Sequence, residues 1–279
     1  MSSSSLKRTV HRILVAVDAS PQSLAALQVA TDLAARLEAE LIGIFVEDIN
    51  LVHTAGLPFA YQINIATGSL QRINSANIER QLRAQARWVQ NNMAILADST
   101  NIRWTFRVVR GNIPVQLLAA AMEADLTILG KTGWSGGRWL GSTAQKVVIQ
   151  APCTSLILQR TVHFKLPVIV VYDGSEEGRK ALASVNLIAS HDSPILVIIL
   201  AENAEKAGEL RQDADSWFVK EELNPQYRWL VKLDSADLAN LTRNEGCGIL
   251  VLPTKSDCLS EKTILNTLNQ SECAVLLVR

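Results

Sequence analysis

Residues 130–143, GKTGWSGGRWLGST, carry the most legible chemistry of this chain. Five glycines stand in the stretch, which follows the apolar run 126–129 and leads into a helical pattern opening near Ser142. Glycine tolerates φ > 0 and has no side chain to keep a ligand off the backbone. The first N–H groups of a helix lack intrahelical partners and sit at the positive end of its dipole, so a helix entered through Gly141 forms an anion site. Ser142 and Thr143 can donate hydroxyl hydrogen bonds to phosphate oxygens as well as cap that helix. Lys131 and Arg138 add two positive charges, and no acid within the segment opposes them. The competing reading is a glycine loop with an ordinary Ser/Thr cap. Its place between an apolar strand and a helix favours phosphate binding.

Two other phosphate motifs are missing. A P-loop needs a glycine ahead of the four residues preceding Gly130-Lys131-Thr132, and Asp125 stands there. No G-x-G-x-x-G follows the first strand, where residues 17–23 read VDASPQS, so a Rossmann dehydrogenase is disfavoured. Asp18 closes that strand and has two open readings. Its carboxylate accepts hydrogen bonds from ribose hydroxyls or a base amine, or it holds an Asx turn or first-helix cap. Trp134 and Trp139 either stack on a ligand or dock the loop, and docking is the preferred reading.

These residues are positioned by a unit written twice. Residues 12–20, RILVAVDAS, match 167–175, PVIVVYDGS, with Asp18 on Asp173 and Ser20 on Ser175. Residues 124–130, ADLTILG, match 247–253, CGILVLP, and 150–160, QAPCTSLILQR, match 270–279, QSECAVLLVR. The separation falls from 155 at Asp18 to 120 at Cys153, so the second copy is about 35 residues shorter.

Within the first copy, apolar β-rich runs predict strands at 13–17, 41–46, about 104–109, 126–129 and 155–158. Helices are expected over 21–37, around Ile78, Leu82, Ala86, Val89 and Met93, over 113–122, and from about 142. Ser20 suits an N-cap and Pro21 the first helical position. Solid apolar strands alternating with helices imply a parallel sheet covered on both faces. The order 3-2-1-4-5 then puts the ligand crevice between strands one and four, which end in Asp18 and Gly130. The expected fold is α/β, two tandem doubly wound five-stranded parallel-sheet domains of Rossmann-like type. Their expected spans are 11–160 and 165–279, after a disordered tail at 1–10. The connection 47–75 is too long for a simple loop. It carries Leu51, Val52, Leu57, Pro58, Phe59 and Tyr61, and reads as a flap over the pocket or a partner surface.

Composition removes several function classes. Lys+Arg and Asp+Glu are equal at 27 each, so no net field draws the chain to nucleic acid or an anionic membrane. No run approaches the ~18 apolar residues of a membrane span, and MSSSSLKR lacks the apolar core of a signal peptide. Cys153, Cys247, Cys258 and Cys273 form no C-x-x-C, and His11, His53, His163 and His191 are scattered singly. A reduced cytoplasmic protein with buried thiols and no metal site is expected.

VAVDAS after strand one, VVRG at the end of strand three, ADLTILG, the G-x-x-G…G-S-T loop and APCTSLIL together resemble the universal stress protein family. The resemblance is full over about residues 10–160; beyond 165 it survives in VVYDGS, the strand-four run and the final strand. ATP-binding members read G-x2-G-x9-G-[ST]. Gly130, Gly133, Gly141 and Ser142 match, with seven residues between Gly133 and Gly141 rather than nine. The resemblance implies an adenine nucleotide alpha hydrolase-like fold, with Asp18 contacting the adenosine. Main chain around Ala16, Val17 and Val46 would contact adenine, Leu129 would line the pocket, and Gly130 to Thr143 would hold phosphates. ATP, with or without Mg2+, is the implied ligand, with ADP or AMP as alternatives.

In the second copy Pro253 replaces Gly130, no glycine occurs from Ile249 to Arg279, and Asp257 and Glu261 add negative charge. No nucleotide is expected there, and Asp173 reads as a turn former. The expectation is an ATP-binding protein of stress response or signalling with one site, in the first half, and at most slow ATP hydrolysis. The alternative is an interaction or scaffold protein without nucleotide, its final strands paired as an intramolecular pseudo-dimer or homodimer.

Overall fold

Val, Ile and Leu fill the strands because every central strand is covered on both faces. The computed structural model describes residues 10–57, 59–63, 68, 70–72, 74–133, 139–159, 167–189, 193–256 and 258–279. The tail through residue 9, Pro58, Trp134, Arg138, His163, His191 and Asp257 lie outside them. The first half runs β1 (Arg12–Ala16), α1 (Pro21–Leu37), β2 (Glu40–Asp48), α2 (Ile49–Ala55), β3 (Tyr61–Ile63), β4 (Leu70–Arg72), α3 (Ser75–Thr100). It continues β5 (Trp104–Gly111), α4 (Ile113–Ala121), β6 (Leu126–Gly130), α5 (Ser142–Gln150), β7 (Thr154–Leu158). The second half runs β8 (Val168–Tyr172), α6 (Glu176–Ile188), β9 (Ile195–Leu200), α7 (Ala204–Lys220), β10 (Gln226–Leu230). It ends α8 (Ser235–Asn244), β11 (Ile249–Pro253), α9 (Glu261–Gln270), β12 (Ala274–Val278).

Ten strands form one sheet in the order β10-β9-β8-β11-β12-β7-β6-β1-β2-β5. Each half therefore has the expected order 3-2-1-4-5, with parallel pairing throughout. The halves join where β7 and β12 pair antiparallel, Ile157 opposite Val275 and Leu156 opposite Leu276. Both strands would otherwise expose a row of unpaired N–H and C=O groups, and each covers the other.

Alternation along the strands builds two core layers. Ile13, Val15, Leu156 and Leu276 face Leu27 of α1, Val89 of α3, Val185 of α6 and Phe218 of α7. Leu14, Ile157 and Leu277 face the other side, with Leu117 of α4, Val147 of α5, Leu238 of α8 and Leu268 of α9. Each layer crosses the seam between halves, so the two units share their cores.

Several expectations shift. Strand one ends at Ala16, and Val17 follows it. Strand two extends through Asp48, so Glu47 belongs to the sheet rather than to a connection. The long connection has its own structure, α2 followed by an antiparallel β3–β4 hairpin pairing Tyr61 with Arg72. Val10, placed in the tail from sequence, is buried at 4% exposure. Among the described residues, no helix is long and apolar enough to cross a membrane.

Candidate functional site

β1 and β6 are neighbours whose following connections turn to opposite faces of the sheet, which opens a crevice beyond their C-terminal ends. A cavity of about 610 Å³ lies there. Ala16, Val17 and Asp18 border it from β1 and the turn after it, and Val46 borders it from β2. Leu129, Gly130 and Gly133 come from β6 and its loop, and Gly141, Ser142 and Thr143 from the start of α5. All ten residues singled out from sequence line this one space.

Asp18 serves a turn and faces the cavity at once. Its Oδ1 accepts from the Ser20 N–H at 3.0 Å, an Asx turn, while its own N–H donates to Ser23 Oγ at 3.2 Å. Ser20 in turn caps α1 by accepting from the Ser23 N–H at 3.2 Å. Oδ2 lies beside Gly133, where a β-carbon would stand 2.7 Å from it. The Val17 N–H is spent on the Ile44 carbonyl at 3.0 Å, so it is not available as a donor to the cavity.

The glycines act by leaving space. None of Gly130, Gly133 and Gly141 takes positive φ, so of the two properties of glycine it is the missing side chain that these three use. A β-carbon at Gly130 would meet Gln22 Cβ at 3.1 Å, so the loop passes tightly against the first turn of α1. Gly141 is the N-cap of α5 and offers no side-chain cap bond. Ser142 and Thr143 occupy the first two helical positions and do not cap the helix, contrary to the second role expected of them. The leading N–H groups of α5 are thus left without a side-chain cap, and Gly141, Ser142, Thr143 and Ala144 at that terminus line the cavity, which suits an anion.

Lys131 is a second correction. Its side chain is buried, and Nζ donates to the Asn269 carbonyl at 3.0 Å and the Ser271 carbonyl at 3.5 Å. The ammonium sits at the C-terminal end of α9, where the dipole is negative. Burial lowers its pKa below the usual lysine value, and Glu272 and Cys273 work against that shift. The charge expected in the loop therefore serves the seam between halves. Trp139 is 75% exposed and is not docked, against the preferred reading for that residue, while Trp134 lies outside the described residues.

Sequence reasoning missed Gln81 and Gln85, which line the cavity from α3. Their i, i+4 spacing on a helix edge was the available signal. It also missed Asp48, which brings the end of β2 to the rim, while Leu51 of α2, named in the connection read as a flap or partner surface, lines the cavity as well. Among the described residues, no three His, Cys, Asp or Glu side chains are grouped to hold a metal.

The corresponding place in the second half is built differently. Ser256 stands three residues after Pro253, as Gly133 stands after Gly130, and its hydroxyl donates to Asp173 Oδ2. Oδ1 of Asp173 accepts from the Ser175 N–H at 3.0 Å. A β-carbon at Gly174 would meet Leu210 at 2.5 Å, so α7 packs onto this turn. α9, the counterpart of α5, is capped by Ser260 and carries Glu261 in its first turn.

The model of the universal stress protein family matches residues 9–159. No curated protein matches the chain. Among solved structures, a universal stress protein from Archaeoglobus fulgidus DSM 4304 is similar over 96% of this chain and 98% of its own, with a TM-score of 0.73 and 15% identity. A functionally unknown protein from Pseudomonas aeruginosa PAO1 is similar over 96% of this chain and 92% of its own, with a TM-score of 0.58 and 13% identity. A universal stress protein in complex with cAMP covers 55% of this chain and 99% of its own, with a TM-score of 0.38 and 21% identity.

Proposed function

The chain belongs to the universal stress protein family, and from that premise we propose that its first half binds an adenine nucleotide, ATP foremost, in a stress-response or signalling role. The observation that carries this reading is one cavity bounded by both Asp18 and the α5 N-terminus, which has no side-chain cap. A cavity of about 610 Å³ falls within the range of small-molecule sites, ~300–1,000 Å³. In this reading Asp18 accepts hydrogen bonds from the ribose or base. Main chain at Ala16, Val17 and Val46, with the Leu129 side chain, flanks adenine. Gly130 and Gly133 let the phosphates approach, and the Ser142 and Thr143 N–H and hydroxyl groups hold them.

Binding rather than turnover is the proposed activity. The carboxylates lining the cavity are Asp18 and Asp48. Asp18 holds its Asx turn, and Asp48 caps α2 through the Asn50 N–H at 2.9 Å. Each is committed to local structure, which supports slow hydrolysis at most. The second half is proposed to bind no nucleotide, because a serine hydroxyl and a helix cap occupy the places of Gly133 and the uncapped α5 terminus.

Calorimetric titration of the full chain with ATP, ADP, AMP and adenosine tests the reading. ATP should bind with one site per chain, and Gly130→Pro should abolish binding. Ser142→Ala should weaken ATP about tenfold while sparing adenosine. No heat and no thermal stabilisation at millimolar ATP would overturn it.

A further inference from the structure

Both stems of the glycine loop reach one residue of the other half. The Leu140 N–H donates to Oδ1 of Asn269 at 2.7 Å. Lys131 Nζ donates to the main-chain carbonyl of the same Asn269 at 3.0 Å. The stems are also tied to each other, since the Gly141 N–H donates to the Lys131 carbonyl at 2.9 Å. Asn269 therefore grips the base of the loop from outside, through its side chain on one strand of the base and its main chain on the other.

The side-chain contact breaks the symmetry between the halves. When Gln150 is laid on Gln270, the residue matching Asn269 is Ile149, whose side chain has no acceptor. The side-chain acceptor is thus present on α9 and absent at the matching position of α5. Asn269 does not line the cavity, so it acts on the site through Leu140. Leu140 immediately precedes Gly141, the N-cap of α5. A fixed Leu140 N–H sets the direction in which the chain enters α5, and with it the aim of the leading N–H groups.

We propose that Asn269 is a positioning residue for the phosphate end of the site, so that nucleotide affinity in the first half depends on the last helix of the second. The proposal rests on the nucleotide reading above. Preorganised donors bind without a reordering cost, and donors held only by a free loop do not. The adenosine end, built on β1 and β2, is outside the reach of Asn269. Its loss therefore strikes the phosphate increment alone.

The test compares ATP and adenosine on the full chain by calorimetry, for wild type, Asn269→Leu, Asn269→Ala and Gln159→Ala. Gln159 Nε2 donates to the Ser271 carbonyl at 3.0 Å, so its loss loosens the same seam without touching the loop. Asn269→Leu and Asn269→Ala should each weaken ATP about tenfold and leave adenosine unchanged. Gln159→Ala should leave the ratio of the two affinities as in wild type. Equal losses for ATP and adenosine, no loss at all, or the same loss in Gln159→Ala would overturn the positioning role while the nucleotide reading stands. A wild type that binds neither ligand would overturn that reading, and this inference with it.

Discussion

A β-carbon on Gly133 would lie 2.7 Å from Oδ2 of Asp18, a distance no real contact tolerates. The other oxygen of that carboxylate is held by the Ser20 N–H at 3.0 Å, so Asp18 yields only by turning away from its present position. Gly133 is needed because the loop folds directly over the carboxylate proposed to hold the adenosine.

Gly133→Ala should therefore turn the Asp18 carboxylate and leave the fold intact. Affinity for ATP should fall about tenfold, equivalent to ~1.4 kcal/mol, with the melting temperature changed by no more than about 2 °C. Calorimetry and thermal melts on the same preparation decide it. An unchanged affinity would remove Asp18 from the ligand contacts.

Asp18 and Asp173 occupy matched positions with different surroundings, and their alanine variants should separate binding from stability. Asp173 accepts from Ser175 and Ser256 and ties the β8 turn to the segment after β11. Asp173→Ala should cost ~1–2 kcal/mol in urea denaturation, with ATP affinity unchanged. Asp18→Ala should lose at least tenfold in ATP affinity. A fall in ATP affinity on Asp173→Ala would contradict the assignment of a single site to the first half.

The division of labour between these two aspartates was legible in sequence only in part. The repeat and the strand order followed from apolar runs, and Asp18, Gly130, Gly133, Gly141, Ser142 and Thr143 from a switch point and the glycine loop, which are local patterns. Ala16, Val17, Val46 and Leu129 came only from the family resemblance. Ser256 facing Asp173 was not legible, because it joins positions 83 apart through a turn that leaves no composition signal. Lys131 was read as a loop charge because spacing does not show that its side chain turns to Asn269, 138 residues away. The capping role given to Ser142 and Thr143 failed for a smaller reason. The helix starts at Ser142, so Gly141 takes the cap position and both hydroxyl residues lie inside the first turn.

Lys131→Met keeps the bulk of the side chain and removes its charge from the α9 terminus. The carbonyls of Asn269 and Ser271 lose a charged donor, and the negative end of α9 loses its counter-charge. Relief from burying an ammonium offsets part of this. A net loss of ~1–2 kcal/mol is expected. Because the contact is buried, the loss should hardly change between low and physiological salt. Urea midpoints of both proteins at two ionic strengths measure it. A loss that vanished at high salt would place the ammonium in solvent.

Tyr172 stands in the second half where Val17 stands in the first, and it ties β8 to α7. Its ring is fully buried, and its hydroxyl donates to Oδ2 of Asp213, which also takes Arg179 Nε at 3.2 Å. Donation from Tyr172, aided by Arg179, holds the Asp213 carboxyl below its ordinary value of 3.8, against the opposing effect of burial. A carboxyl lowered in the folded state stabilises fully above its unfolded pKa and loses that contribution as pH falls through the folded one. Solvent screens much of the effect, since the Asp213 side chain is 43% exposed, and ~1 kcal/mol or less remains. Asp213→Asn keeps an acceptor for Tyr172 and has no carboxyl to titrate. Wild type should exceed it in stability at pH 7, and the gap should close as the pH drops below about 3.8. Urea denaturation of both proteins from pH 7 downwards would show this, and a gap constant with pH would assign the stabilisation to shape rather than charge.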